Sequence, residues 1–223
     1  MNSLNKYLIL LSLTFLISNC NSFEKNENKN KKDDSTESQL ITKDSIKITK
    51  PEIERNKEIT EFDEFYGRKI SYYLSHSEIP LVCKEIFLKK RKVSDDNEVL
   101  ALMDSLFTKN NETRPFYFLT LTRTMEKADG AYAEPLGIMS KKFVENHTKE
   151  FFDYFINEPL LSQNDFKEWA LTVIGEIKIV AENNEREEFE SLKTIMTNNC
   201  SECDLKQKEK LNEFLKLIEN HCP

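Results

Sequence analysis

The residues of this chain that are best suited to chemistry are its five cysteines, two of which form a Cys-x-x-Cys pair. The pair is Cys200 and Cys203 in the stretch "NNCSECD". A redox-active pair of this kind needs a βαβ setting and a lowered thiol pKa. No strand pattern surrounds the pair, and the negative charges of Glu202 and Asp204 oppose formation of a thiolate. The sequence therefore favours a structural disulfide over a redox site.

Four cysteines, namely Cys83, Cys200, Cys203 and Cys222, are disulfide candidates in an oxidising compartment, and four allow three pairings. A helix over 204–221 would place Cys222 about 27 Å from Cys203 along its axis. A disulfide needs Cα atoms within about 7 Å, which excludes that pairing and disfavours Cys200 with Cys222. We therefore predict bridges between Cys200 and Cys203 and between Cys83 and Cys222.

The three histidines offer little for catalysis or metal binding. His76, His147 and His221 have no neighbours in the sequence that complete a triad or a ligand set. His147 and Glu150 are spaced H-x-x-E, which reverses the di-iron order, and no second copy exists. A zinc site that joins Cys200 and Cys203 to His221 fails on the helix length given above. We expect no catalytic residue, no metal and no cofactor.

The elements that must position these residues are helical, because apolar residues recur at helical spacing and glycine occurs only four times. Ser94, Thr113 and Ser162 are the predicted helix starts, because their side chains can accept hydrogen bonds from free backbone N–H groups. The predicted apolar stripes comprise Ile59–Phe62–Tyr66–Ile70–Tyr73, Val99–Leu102–Met103–Leu106, Phe118–Leu121–Met125, Leu136–Met139–Phe143, Phe151–Phe152–Phe155, Phe166–Trp169–Val173–Ile177–Val180, Phe189–Leu192–Met196 and Leu211–Leu215–Ile218.

These stripes predict an all-α domain of about eight helices over residues 51–223. Short links favour antiparallel neighbours. Helix pairs of about 35–40 residues are typical of a short α-solenoid, but no sequence signature repeats, so a helical bundle remains an equal alternative. No strand and glycine-rich turn precede a helix in the way that nucleotide binding requires.

The most unusual local stretch is "DGAYAEPLG", residues 129–137, which holds two of the four glycines and Pro135. Glycine and proline interrupt helices, so this stretch predicts a turn between two helices with tight packing. A functional loop beside the aromatic helices is the alternative. The aromatic residues around 116–118 and 151–155 are expected in the core.

The N-terminus carries a run of eleven mostly apolar residues, "YLILLSLTFLI", which ends three residues before Cys20. A membrane-spanning helix needs about 20 apolar residues, whereas this length suits a secretory signal. With Leu16, Ile17 and Ser18 before Cys20, the segment resembles a bacterial lipoprotein signal, although Asn19 departs from the usual small residue. The resemblance covers residues 1–20. It implies removal of residues 1–19, acylation of Cys20 and attachment to the lipid bilayer of the cell envelope.

Residues 20–50 contain few bulky apolar residues and many charges of both signs, so they predict a disordered tether. Residues 1–50 carry eight lysines and six acidic residues, and the chain carries −7 in total, so residues 51–223 carry −9. That charge disfavours nucleic acid and permits a basic protein partner.

The sequence predicts a membrane-anchored envelope lipoprotein with a helical protein-binding domain, of which an immunity-like or inhibitor-like role is one form. An envelope enzyme with a scattered active site and a purely structural envelope component remain alternatives. A pocket with converging polar groups would favour the enzyme.

Overall fold

The computed structural model describes residues 58–128, 130–181 and 183–222. The predicted signal peptide, Cys20, the tether and the start of the domain at residue 51 lie outside the described residues. In the described part the chain is all-α apart from one short hairpin, so the predicted fold class is confirmed.

Nine α-helices make up the described part of the chain. They are α1 (Ile70–Ser75), α2 (Leu81–Phe87), α3 (Asn97–Asp104), α4 (Arg114–Met125), α5 (Gly130–Asn146), α6 (Thr148–Asn157), α7 (Gln163–Val180), α8 (Glu185–Asn199) and α9 (Leu205–Glu219), with a 3-10 turn at Ser105–Phe107. Two antiparallel two-residue strands, β1 (Glu64–Phe65) and β2 (Arg68–Lys69), precede α1.

The hairpin replaces the first half of a predicted helix. Tyr66 and Gly67 form its turn with φ values of 52° and 70°, and such a turn requires positive φ at both central residues. The prediction of a helix that begins at Ile59 was therefore wrong for the residues before Ile70. Phe62 belonged to the predicted apolar stripe but is 74% exposed. The buried Tyr73 hydroxyl donates to the Phe65 carbonyl at 2.9 Å and fastens the hairpin to α1.

Helix α7 is the centre of the bundle, because α4, α5, α8 and α9 all pack on it. In a solenoid each repeat contacts only its neighbours, so this arrangement is a bundle. Ser162 and Asp165 form a capping box at the helix start, as expected for a Ser at this position. Trp169 is fully buried, and its Nε1–H donates to Thr122 Oγ1 of α4 at 2.8 Å.

The aromatic residues form the core between α4, α6 and α7, as predicted. The Phe118 ring stacks on Trp169 at 4.9 Å and on Tyr154 at 4.4 Å between ring centroids. Phe116, Phe118 and Phe151 are all fully buried. The stripes predicted on α8 and α9 also face this core.

Two predicted helix starts differ in outcome. Thr113 precedes α4 as predicted, but its side chain does not cap the helix, since its hydroxyl donates to the Asn110 carbonyl at 3.4 Å. Helix α3 begins later than predicted, because Asp96 rather than Ser94 accepts the bond from the Val99 N–H, at 3.0 Å. Ser94 instead donates its hydroxyl to the Asp96 carboxylate at 2.6 Å. The stronger acceptor therefore sets the start of the helix.

The turn predicted for residues 129–137 is wrong, because α5 begins at Gly130 and continues through Pro135. Gly130 starts the helix with a φ of 39°, a conformation that glycine adopts without strain. Pro135 has no N–H, so the Ala131 carbonyl loses its usual partner within the helix. Asp129 lies outside the described residues.

The cysteines confirm one predicted bridge and contradict the other. Cys200 and Cys203 form a disulfide with Cα atoms 4.8 Å apart. Cys83 and Cys222 are free, buried thiols, so the predicted bridge between them is wrong. The two cysteines cannot pair because their helices pack on different neighbours. Helix α2 lies against α3 and α4, whereas the C-terminal helix α9 lies against α6, α7 and α8.

Cys83 has a partner of another kind. Its thiol donates to Thr120 Oγ1 at 3.7 Å, and burial raises its pKa to about 12. A thiol in that state is unreactive and fills the space between α2 and α4.

Gly137 sets the distance between α5 and α7. A Cβ at this position would lie 3.3 Å from both Cβ and Oε2 of Glu176 and 3.6 Å from the Thr172 carbonyl oxygen. At exposed Gly175 of α7, a Cβ would meet nothing within 4 Å. The tight packing expected for this stretch is therefore present, but it lies between two helices and not at a turn.

We predict that replacement of these two glycines by alanine affects the free energy of unfolding differently. Gly175→Ala should raise the free energy of unfolding by about 0.5–1 kcal/mol, because alanine restricts the unfolded chain and favours the helix. Gly137→Ala should not show this gain, because Glu176 would have to move. Urea unfolding of both variants measures the difference, and an equal gain in both would contradict the close contact.

Candidate functional site

The most site-like feature of the described chain is a groove between α5 and α7, here called the α5–α7 groove, with a volume of about 440 Å³. Its lining residues are Met125, Ala128, Gly130, Ala133, Glu134, Leu136, Gly137, Glu168, Leu171, Thr172, Gly175, Glu176 and Ile179. Small residues on both helices open this space, because glycine and alanine side chains fill little of it.

Apolar side chains line the walls of the α5–α7 groove and remain open to solvent. Leu171 is 48% exposed and Ile179 is 57% exposed. They lie eight residues apart on α7 and so share one face of that helix, away from its buried stripe. Helix α7 thus has a second apolar face that nothing in the described structure covers.

The charged residues that line the α5–α7 groove are all acidic: Glu134, Glu168 and Glu176. The nearby Lys141 is already engaged, since its Nζ lies 2.8 Å from Glu145 and 3.9 Å from Glu188. The groove therefore combines apolar walls with uncompensated negative charge.

Glu176 distinguishes this groove from a simple acidic surface. Its side chain is on average only 6% exposed, and its Oε2 has no hydrogen-bond partner within the described residues. Burial raises its pKa, Glu134 raises it further, and Lys141 opposes both. A buried carboxylate oxygen without a hydrogen-bond donor is unfavourable for folding, so a donor from a bound molecule would be favourable here.

Sequence reasoning identified one wall of this groove and missed the other. The stretch 129–137 was singled out, and its residues from Gly130 to Gly137 line the α5 side. The α7 wall was not predicted, because the buried stripe is the stronger periodic pattern of that helix. A signal was present: Leu171 and Ile179 are apolar residues at helical spacing outside that stripe.

The H-x-x-E pair of the sequence belongs to a separate polar cluster. Buried Arg114 donates to Glu150 Oε2 at 2.6 Å and to the Asn111 side chain at 2.6 Å. His147 Nδ1 lies 3.1 Å from the same Glu150 oxygen, and the Tyr154 hydroxyl donates to Glu150 Oε1 at 2.7 Å. Burial opposes ionisation of Glu150, but these hydrogen bonds outweigh it and lower its pKa.

This cluster has a clear structural part. Each oxygen of Glu150 already contacts a side chain of the domain, Oε2 that of Arg114 and Oε1 that of Tyr154. The cluster joins the start of α4 to α6, and Arg114 also donates to the Thr108 carbonyl at 2.9 Å. A buried ion pair of this kind fixes how the two helices meet.

The other candidate residues do not come together into a site. His76 Nδ1 accepts from the Glu78 N–H at 3.3 Å, and His221 Nδ1 lies 2.9 Å from the Leu217 carbonyl. Neither these histidines nor the four cysteines line the α5–α7 groove. Within residues 58–128, 130–181 and 183–222, no three His, Cys, Asp or Glu side chains are placed to hold a metal ion.

No helix among the described residues has the length and apolar character to cross a bilayer. Comparisons of the chain with protein families, with curated proteins and with solved structures found no match. The geometry of the α5–α7 groove is therefore the basis for assigning a role.

Proposed function

We propose that this chain is a membrane-anchored envelope lipoprotein whose helical domain binds a basic segment of a protein partner in the α5–α7 groove. The observation that carries the proposal is the buried Oε2 of Glu176, which has no hydrogen-bond partner among the described residues, in a groove with exposed apolar walls. An immunity-like or inhibitor-like role, in which the domain neutralises a basic protein, is the specific form that this chemistry supports.

The chemistry of the groove defines the bound segment. Leu171 and Ile179 suit the apolar face of an amphipathic helix, which is a common ligand of grooves between helices. Glu134 and Glu168 suit lysine or arginine side chains beside that face, and complementary charge speeds association and selects the partner. A lysine or arginine side chain of the partner would donate the hydrogen bond that Glu176 receives from no described residue.

The proposed acylation of Cys20 also supports a role in binding a partner near the membrane. Cys20 follows a short apolar run with the pattern of a lipoprotein signal. Two or three acyl chains hold a protein on a membrane surface without spanning it. A flexible tether of about 30 residues would let the domain reach about 30 Å from that surface, within range of partners that approach it.

The enzyme alternative has little support from the described residues. The one group of Arg, His and Glu side chains is hydrogen-bonded internally, and the α5–α7 groove is lined by three carboxylates and Thr172 but by no histidine, cysteine, lysine or arginine. A purely structural component would gain nothing from Glu176, whose burial costs stability.

We predict that Cys20→Ser moves the full chain from the membrane fraction to the soluble fraction of cells, because the acyl chains attach through this thiol. Labelled palmitate should enter the wild-type chain and not the variant. Cys222→Ser is the matched control and should leave both readouts unchanged. Sedimentation of the Cys20 variant with membranes, together with an unlabelled wild type, would refute the anchor.

We predict that the full chain binds an amphipathic helical peptide of leucine and lysine, and does not bind the same peptide with glutamate in place of lysine. Glu134→Gln with Glu168→Gln should weaken binding about tenfold or more, since two charge pairs at the groove are lost. Fluorescence anisotropy of the labelled peptide measures the affinity.

The control for this experiment changes the same net charge elsewhere. Glu61→Gln with Glu202→Gln removes two exposed carboxylates that do not line the groove. If this pair weakens peptide binding as much as the groove pair, attraction is to the −9 domain as a whole and the groove is not the site.

A further inference from the structure

A second cavity, of about 340 Å³, lies beside α2 and α4 and has the opposite charge. The cations that line it are Lys89, Arg91, Lys92, Arg123 and Lys127, and we call it the basic cavity. No acidic residue is among its lining residues. Five cations around one opening are unexpected in a domain with a net charge of −9.

Most of this positive charge is not neutralised within the described residues. Arg91 is paired, at 3.1 Å from Asp96 and 2.8 Å from Glu98. Lys89, Lys92 and Lys127 form no ion pair with any described residue and are exposed. Their ammonium groups are free to turn toward a bound anion.

Arg123 is the central group of the basic cavity. Its guanidinium lies over the Phe87 ring, 5.1 Å from the centroid, and forms no ion pair within the described part of the chain. Burial lowers its pKa, against a weaker opposing field from Asp165 and Glu58. A half-buried guanidinium over an aromatic ring keeps its charge, and Arg123 lines the cavity with N–H donors that no described residue accepts.

The floor of the basic cavity is apolar, because Ile86, Phe87 and Val93 contribute to it. Its volume exceeds that of a single small ion and falls at the lower end of ligand pockets. The ligand that matches is therefore an anion attached to an apolar group. The planar fork of arginine and several mobile lysines suit the oxygens of a phosphate group.

We propose that the basic cavity is a binding site for a phosphate ester, with its phosphate group on Arg123, Lys89, Lys92 and Lys127 and its apolar portion beside the partly buried Val93. The ester is the headgroup of an anionic lipid or a free phosphorylated small molecule. This site is separate from the α5–α7 groove, and its test does not depend on the proposed function.

The test titrates the full chain with phenyl phosphate and with inorganic phosphate by isothermal calorimetry. Phenyl phosphate should bind more tightly, because its ring contacts the apolar lining at Val93, and added salt should weaken the binding of both compounds. Arg123→Gln should weaken phenyl phosphate binding about tenfold or more, since hydrogen bonds to charged groups are the strong ones. Lys92→Gln, at an exposed position, should weaken binding without any effect on folding.

Arg186→Gln is the matched control. Arg186 also lies over a phenylalanine ring, at 5.4 Å from the Phe189 centroid, but Glu190 and Glu219 pair with it at 2.6 and 3.3 Å. Its replacement should leave binding unchanged. Absence of phenyl phosphate binding, or binding that survives both Arg123→Gln and Lys92→Gln, would overturn the proposal.

A second arm separates the two sources of the ester. The chain with Cys20→Ser is mixed with phosphatidylcholine vesicles that lack or contain phosphatidylglycerol. Cosedimentation that requires phosphatidylglycerol and is reduced by Lys92→Gln assigns the site to a lipid headgroup. Binding of phenyl phosphate without such cosedimentation assigns it to a free phosphate ester.

Discussion

The close approach of α5 to α7 at Gly137 is the constraint on which the rest of the structure depends. A residue with a side chain at this position would press on Glu176, because a Cβ there would lie 3.3 Å from that side chain. The approach brings Phe143 of α5 to 5.8 Å from Trp169 of α7 and closes the aromatic core. The same contact buries Oε2 of Glu176, which has no hydrogen-bond donor among the described residues. The packing of α5 on α7 and the proposed binding chemistry therefore involve the same residue.

The fold class could be predicted from the sequence because helical periodicity is a local property. Ser162 and the stripe from Phe166 to Ile177 were predicted correctly, since capping and amphipathicity act within a few turns. The errors came from tertiary context. The stripe through Tyr66 has helical spacing, but Gly67 permits a tight turn that pairs two strands. Pro135 was expected to break a helix, yet α5 continues through it because the contact with α7 outweighs one lost hydrogen bond. The partner of Cys83 depends on which helices touch, and no local pattern carries that information.

The two charged cavities show why a net charge is a poor guide to a surface. The value of −9 permits a basic partner, and Glu134, Glu168 and Glu176 line the α5–α7 groove. The net charge gives no indication of the run Lys89-Lys90-Arg91-Lys92, which is the strongest local signal in the sequence for the basic cavity. The two cavities share no lining residue, so the two proposed sites can be tested independently.

Site-specific photo-crosslinking in native envelopes tests the central claim, that the α5–α7 groove holds the partner, most directly. A photoreactive residue replaces Leu171 in the groove or Leu205, which is 80% exposed and does not line it. The account predicts one discrete protein adduct from position 171 and none from 205. Mass spectrometry should locate the adduct in a segment rich in lysine or arginine, and Glu134→Lys with Glu168→Lys should abolish it. An adduct from position 205 alone, or one from position 171 that survives the charge reversal, would contradict the account.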